Sequence, residues 1–144
     1  MLVQQILKSK SDDGVVTIAP GTSLAEAARL LTQRRIGAVV VSPDGERVAG
    51  ILSERDIVRE LANKGVGCMA ESIDGVMTRD IVTCGRNDNS DAVLALMTEG
   101  RFRHLPVVEA GEMVGLISIG DVVKAQLSEL AMEKEALEGM IKGF

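Results

Sequence analysis

The chain has 144 residues, 46% of them hydrophobic and 26% charged, which suits one compact folded unit or two small repeats and excludes a disordered chain. A formal net charge of −5 argues against a general nucleic-acid binder, and with only Phe102 and Phe144 as aromatics there is no platform on which bases could stack. No apolar run is long enough to cross a bilayer, and residues 1–7 lack the basic start of a signal peptide, so neither a membrane nor export is expected. Cys68 and Cys84 have no CxxC spacing and read as free thiols of a cytoplasmic protein.

In chain order, the first expected element is a short β segment at residues 15–18, rich in β-branched side chains. An amphipathic helix follows from about Ser23, with Leu24, Ala27, Ala28, Leu30 and Leu31 on one side and Glu26, Arg29 and Gln33 on the other. Two apolar strands come next, at 38–41 and 48–52, joined by a turn at Pro43-Asp44-Gly45. A second helix opens at Ser53. The same order then recurs: a β segment at 81–84, a helix from about Asn89, strands at 105–108 and 113–117 around Ala110-Gly111, and a helix from Ser118.

The recurrence is a duplication. With Val16-Thr17 laid over Val82-Thr83, Thr32 falls on Thr98, Arg35 on Arg101, Val41 on Val107 and Gly45 on Gly111. After a one-residue gap Gly50 meets Gly115, Ser53 meets Ser118 and Asp56 meets Asp121; upstream, Ile6-Leu7 meets Val76-Met77. Neither copy is large enough to bury a stable core alone. The expectation is therefore an α+β fold of two β-α-β-β-α repeats packed through their small sheets with pseudo-twofold symmetry. Repeat one is assigned to residues 1–67, repeat two to 68–127, and a helical tail to 128–144. The tail carries Leu130, Ala131, Leu137 and Ile141 at helical spacing. A solvated helix and a subunit contact both fit that pattern.

Each copy contains the pattern G-h-h-S-x-x-D: Gly50-Ile51-Leu52-Ser53-Glu54-Arg55-Asp56, and Gly115-Leu116-Ile117-Ser118-Ile119-Gly120-Asp121. Two readings stand side by side. Serine at the N-cap with an acid three residues on is a capping box worth about 1 kcal/mol, needing no ligand. The same geometry offers free N–H groups for a phosphate and a carboxylate that can accept from two vicinal ribose hydroxyls.

The repeated unit, the paired G-h-h-S-x-x-D segments, Val76-Met77-Thr78 before copy two, and the phrases at 51–59 and 101–107 resemble a tandem pair of cystathionine-β-synthase-type (CBS) domains, or Bateman module. They are similar in particular to small bacterial proteins made of such a pair and little else. That resemblance implies a regulatory sensor that binds AMP, ADP or ATP, or in some members NAD(H) or S-adenosylmethionine, between the domains. AMP leads among these, and no cofactor is required. Carried onto this chain, the resemblance has Asp56 and Asp121 hold ribose hydroxyls while Ser53 and Ser118 approach phosphate. Thr17, Thr83, Ile36, Gly37, Ala38, Arg103, His104 and Leu105 line the adenine pocket.

The copies differ. Arg101 has a counterpart in Arg35, but Arg103 and His104 align with Gly37 and Ala38, while Arg55 stands where copy two has Gly120. Arginine pairs bidentately with phosphate, so copy two is expected to hold the stronger phosphate site. Two exposed charges at a helix-to-strand turn is the plainer account of Arg101 and Arg103. His104 has no nucleophile beside it in sequence and reads as a pocket wall.

No P-loop, dinucleotide fingerprint, G-x-S-x-G, H-E-x-x-H or paired Cys/His set occurs, so catalysis is not expected. The partners expected are an adenine nucleotide, a second copy in a homodimer built through the apolar helices, and a regulated protein. A structural interaction module without a ligand is the competing expectation.

Overall fold

A computed structural model describes residues 1–10 and 15–142. In order they form α1 (Val3–Ser9), β1 (Thr17–Ile18), α2 (Leu24–Arg34), β2 (Ala38–Val41), β3 (Gly50–Ser53), α3 (Glu54–Lys64), 3₁₀ turns at Val66–Ala70 and Ile73–Gly75, α4 (Ser90–Gly100), β4 (His104–Glu109), β5 (Glu112–Ser118) and α5 (Ile119–Ile141). The tail expected at 128–144 continues α5 without a break, and its residues 143–144 lie outside the described residues.

Helix starts follow their caps. Ser23 accepts from the Glu26 N–H, Asn89 from the Asp91 N–H, Ser53 from the Asp56 N–H and Ser118 from the Asp121 N–H. Both α2 and α4 end on an arginine in the left-handed region, Arg35 at φ 54° and Arg101 at φ 57°, which turns the chain directly into β2 and β4.

The sheets are small. β1 pairs parallel with β2, and β2 antiparallel with β3; β4 and β5 form an antiparallel hairpin. The β segment expected at 81–84 shrinks to a single parallel bridge between Cys84 and Val107, the counterpart of Ile18 with Val41 in copy one. Cys84 N–H donates to the Pro106 carbonyl and Val108 N–H to the Cys84 carbonyl. The ladder stops there because Pro106, which stands where copy one has Val40, has no N–H to carry the pairing back toward Val82.

Each copy has its own core, and each core is completed by the segment that precedes the other copy's helices. Leu24, Ala27, Leu31, Val39, Val41, Leu52 and Ile57 pack with Ile73 and Met77 from the connection. Val93, Met97, Leu105, Val107, Ile117 and Val122 pack with Val3 and Ile6 of α1. The exchange is symmetric down to its hydrogen bonds. Val3 N–H donates to the Asp88 carbonyl as Ile73 N–H does to Thr22, and Ser90 N–H donates to Met1 as Leu24 N–H does to Glu71. Cys68 and Cys84 are both buried free thiols, and burial pushes the Cys84 thiol up to about 12.

β2 is buried along its whole length. Val39 and Val41 enter the first core, while Ala38 faces a cleft between the copies. The Met113 N–H donates across to the Glu46 carbonyl at 2.8 Å, tying β5 to the β2–β3 turn. At the entrances to β2 and β4 the copies meet directly: the Cβ that Gly37 lacks would lie 3.7 Å from His104 Cε1.

Candidate functional site

A cleft of about 970 Å³ lies between the two copies. Copy one contributes Val15, Val16 and Thr17 from the first strand segment, Arg34 from the end of α2, and Ile36, Gly37 and Ala38 leading into β2. Copy two contributes His104, the β5 residues Val114, Gly115 and Leu116, then Ser118 and Asp121 at the start of α5; Leu7 and Lys10 close it from the N-terminal segment. A smaller cleft of about 500 Å³ opens beside it, lined by Arg35, Ile36, Gly37, Glu54, Ile57 and Val58 among others.

The capping box fixes the carboxylate in the larger cleft. Ser118 N–H donates to Asp121 Oδ2 at 2.9 Å, and Asp121 N–H donates to Ser118 Oγ at 3.1 Å. Lys10 Nζ lies 2.9 Å from the same Oδ2 and also donates to the Leu116 carbonyl at 2.9 Å. Burial works against the Asp121 charge, but the Ser118 N–H and the Lys10 ammonium outweigh it and hold the carboxyl below its ordinary value. His104 shifts down as well. Burial disfavours its cationic form, with Lys10 and Arg103 adding to that and Asp121 and Glu54 opposing. At neutral pH the ring is uncharged, and one nitrogen can accept while the other donates.

Of the residues singled out from sequence, Thr17, Ile36, Gly37, Ala38, His104, Ser118 and Asp121 come together in this cleft. The others lie elsewhere. Ser53 and Asp56 form the equivalent capping box on α3, with Arg59 3.6 Å from Asp56 Oδ1, and Arg55 is exposed. Thr83 is exposed and Leu105 is fully buried in the second core. Arg101 and Arg103 are exposed and are not part of the cleft wall, although Arg103 is near enough to depress the His104 pKa.

Sequence reasoning did not single out Lys10 or Arg34. The signal for Lys10 was present in the upstream register. Ile6-Leu7 over Val76-Met77 puts Lys10 on Asp80, so the two leading segments carry opposite charge at equivalent positions. Among the described residues no cluster of His, Cys, Asp or Glu could hold a metal ion, and no helix is long and apolar enough to cross a membrane.

The CBS domain family matches this chain twice, over residues 5–63 and 71–128. A CBS domain-containing protein, CBSX3, mitochondrial, of Arabidopsis thaliana is 31% identical over 98% of this chain and 72% of its own length. The structure superposes on a CBS-domain containing protein from Agrobacterium tumefaciens with a TM-score of 0.83, at 44% identity over 88% of this chain and 99% of that one. It also superposes on a CBS domain protein from Pyrobaculum aerophilum complexed with AMP, with a TM-score of 0.77, at 26% identity over 92% of this chain and 99% of that one. With both halves matched by one domain and the paired fold shared with these structures, this chain belongs to the CBS domain family as a tandem pair.

Proposed function

We propose that the chain is a regulatory module which binds an adenine nucleotide, AMP foremost, in the cleft of about 970 Å³ and passes its occupancy to a partner protein. The volume is that of an ordinary small-molecule site, at roughly 300–1,000 Å³. The observation that carries the reading is the Asp121 carboxylate. Among the described residues both of its side-chain contacts use Oδ2, so Oδ1 is left to accept from the first hydroxyl of a vicinal diol. Val15, Val16, Ile36, Ala38 and Val114 offer an aliphatic slot for a purine, which fits a chain without Trp or Tyr. Lys10, Arg34 and the start of α5 supply the positive end for a phosphate. Arg103, close enough to act on His104, adds positive potential from just outside. The AMP complex of the Pyrobaculum aerophilum relative supports the same ligand class.

The test is mass spectrometry of small molecules released from purified, denatured protein, together with melting curves in AMP, ADP, ATP, NAD(H) and S-adenosylmethionine. AMP is expected to raise the midpoint most, because only a ligand that binds the native state stabilises it. A midpoint that no adenine ligand moves would leave the chain a ligand-free interaction module.

The repeats take residues 1–67 and 68–127 in this reading, with 128–144 as the transmitting tail. On α5, Val123, Leu127, Leu130, Leu137 and Ile141 are exposed on one side, and Val58 on α3 is 63% exposed. So much apolar helix surface suits a homodimer formed through these helices. Light scattering at micromolar concentration is expected to give twice the chain mass, and a monomer would remove the claim.

A further inference from the structure

We propose that Lys10 is an internal counter-ion of the Asp121 carboxylate in the larger cleft and exchanges onto a phosphate when a diol takes that carboxylate, so that ligands carrying an anionic group beside the ribose are selected over neutral or cationic adenosine derivatives. This rests on the nucleotide reading above. Lys10 Nζ sits 2.9 Å from Asp121 Oδ2 and 2.9 Å from the Leu116 carbonyl oxygen, inside the cleft wall, with the side chains of both partners 24% exposed. A vicinal diol that engages both carboxylate oxygens needs Oδ2 and therefore competes with the ammonium.

A displaced lysine needs another anion. Among the described residues of the cleft wall, the other ionisable side chains are His104, held neutral by burial, and Arg34, itself a cation, while the Glu54 carboxylate lies on the far side of Gly37 and His104. An incoming phosphate supplies the missing charge, so the lysine moves from carboxylate to phosphate without loss of pairing. Adenosine offers no such exchange, and a sulfonium ligand such as S-adenosylmethionine brings a further positive charge toward Lys10 and Arg34. Among the described residues copy one has no equivalent, because Asp80 takes the place of Lys10 in the register and the basic side chain beside Asp56 is Arg59 of its own helix.

Calorimetric titration of the full chain with AMP, adenosine and S-adenosylmethionine, for wild type, Lys10→Met, Lys10→Gln and Lys10→Arg, tests this. Both neutral variants should weaken AMP by ~10-fold or more, the worth of a charge-assisted contact. They should tighten adenosine by ~2- to 5-fold, the worth of a partly exposed ion pair. Their preference for AMP over S-adenosylmethionine should narrow, and Lys10→Arg should keep it. Equal shifts for AMP and adenosine in the neutral variants, or undiminished AMP affinity, would overturn the lysine's role while leaving the nucleotide site standing. Wild-type protein that binds none of the three would overturn the nucleotide reading itself, and this inference with it.

Discussion

Asp121→Ala is expected to weaken AMP binding by ~10-fold or more while costing only about 1 kcal/mol of stability. The two effects have separate origins. Stability falls because the Ser118 N–H loses its acceptor at the first turn of α5 and Lys10 loses its ion partner. Binding falls because, among the described residues, the carboxylate is the one acidic side chain in the wall of the larger cleft. Asp56→Ala is the internal control. It removes the same reciprocal cap from α3, Ser53 N–H to Asp56 Oδ2 at 2.9 Å and Asp56 N–H to Ser53 Oγ at 3.2 Å, and should cost about as much in a melt. Its carboxylate does not line the larger cleft, so AMP affinity there should hold. A second nucleotide bound at Asp56 would show as a lower stoichiometry in that variant. If Asp121→Ala melts lower but binds AMP unchanged, the repeated serine and aspartate are caps and nothing more.

What could be read from the sequence was what is decided locally. The caps at Ser23, Asn89, Ser53 and Ser118 were visible because a helix start is set by a side chain and a backbone group three residues or fewer apart. The strand expected at 81–84 forms only the Cys84–Val107 bridge. Its β-branched residues are sound strand formers, but a strand needs a partner with donors, and Pro106 lies more than twenty residues away. Strand β3 was placed two residues early for a related reason: Val48 and Ala49 are apolar, yet the regular ladder with β2 begins only at Gly50. Half of the candidate site residues share one cleft because the duplication fixed which segments are equivalent. Lys10 and Arg34 escaped notice because neither belongs to the repeated motif. Lys10 reaches Asp121 across 111 positions of chain, by way of an exchange of leading segments that only the folded structure displays.

That exchange also assigns the glycines of the motif a packing role, and Gly50→Ala is expected to destabilise the chain by ~1–3 kcal/mol, more than Gly115→Ala does. A Cβ on Gly50 would lie 2.6 Å from Met77 Sδ and 3.0 Å from the Thr78 carbonyl oxygen. The sulfur can swing aside, but the carbonyl cannot. Thr78 and Ile51 exchange N–H···O bonds of 3.0 and 2.9 Å, so the connection is clamped to β3 beside the new methyl group. At Gly115 the obstacle is the end of the half-buried Leu7 side chain, 2.7 Å from the added Cβ, with no backbone atom among its three nearest neighbours. Rotation of one leucine relieves that contact. Thermal melts of both variants, each repeated with the facing side chain shortened, separate the two cases by their coupling energies. Leu7→Ala should cancel most of the Gly115→Ala loss beyond its own cost. Met77→Ala should cancel only part of the Gly50→Ala loss, because the Thr78 carbonyl remains. Equal losses for the two glycine variants, or full rescue by Met77→Ala, would mean that the clamp at Thr78 yields and that both leading segments pack against their motif glycines through flexible side chains alone.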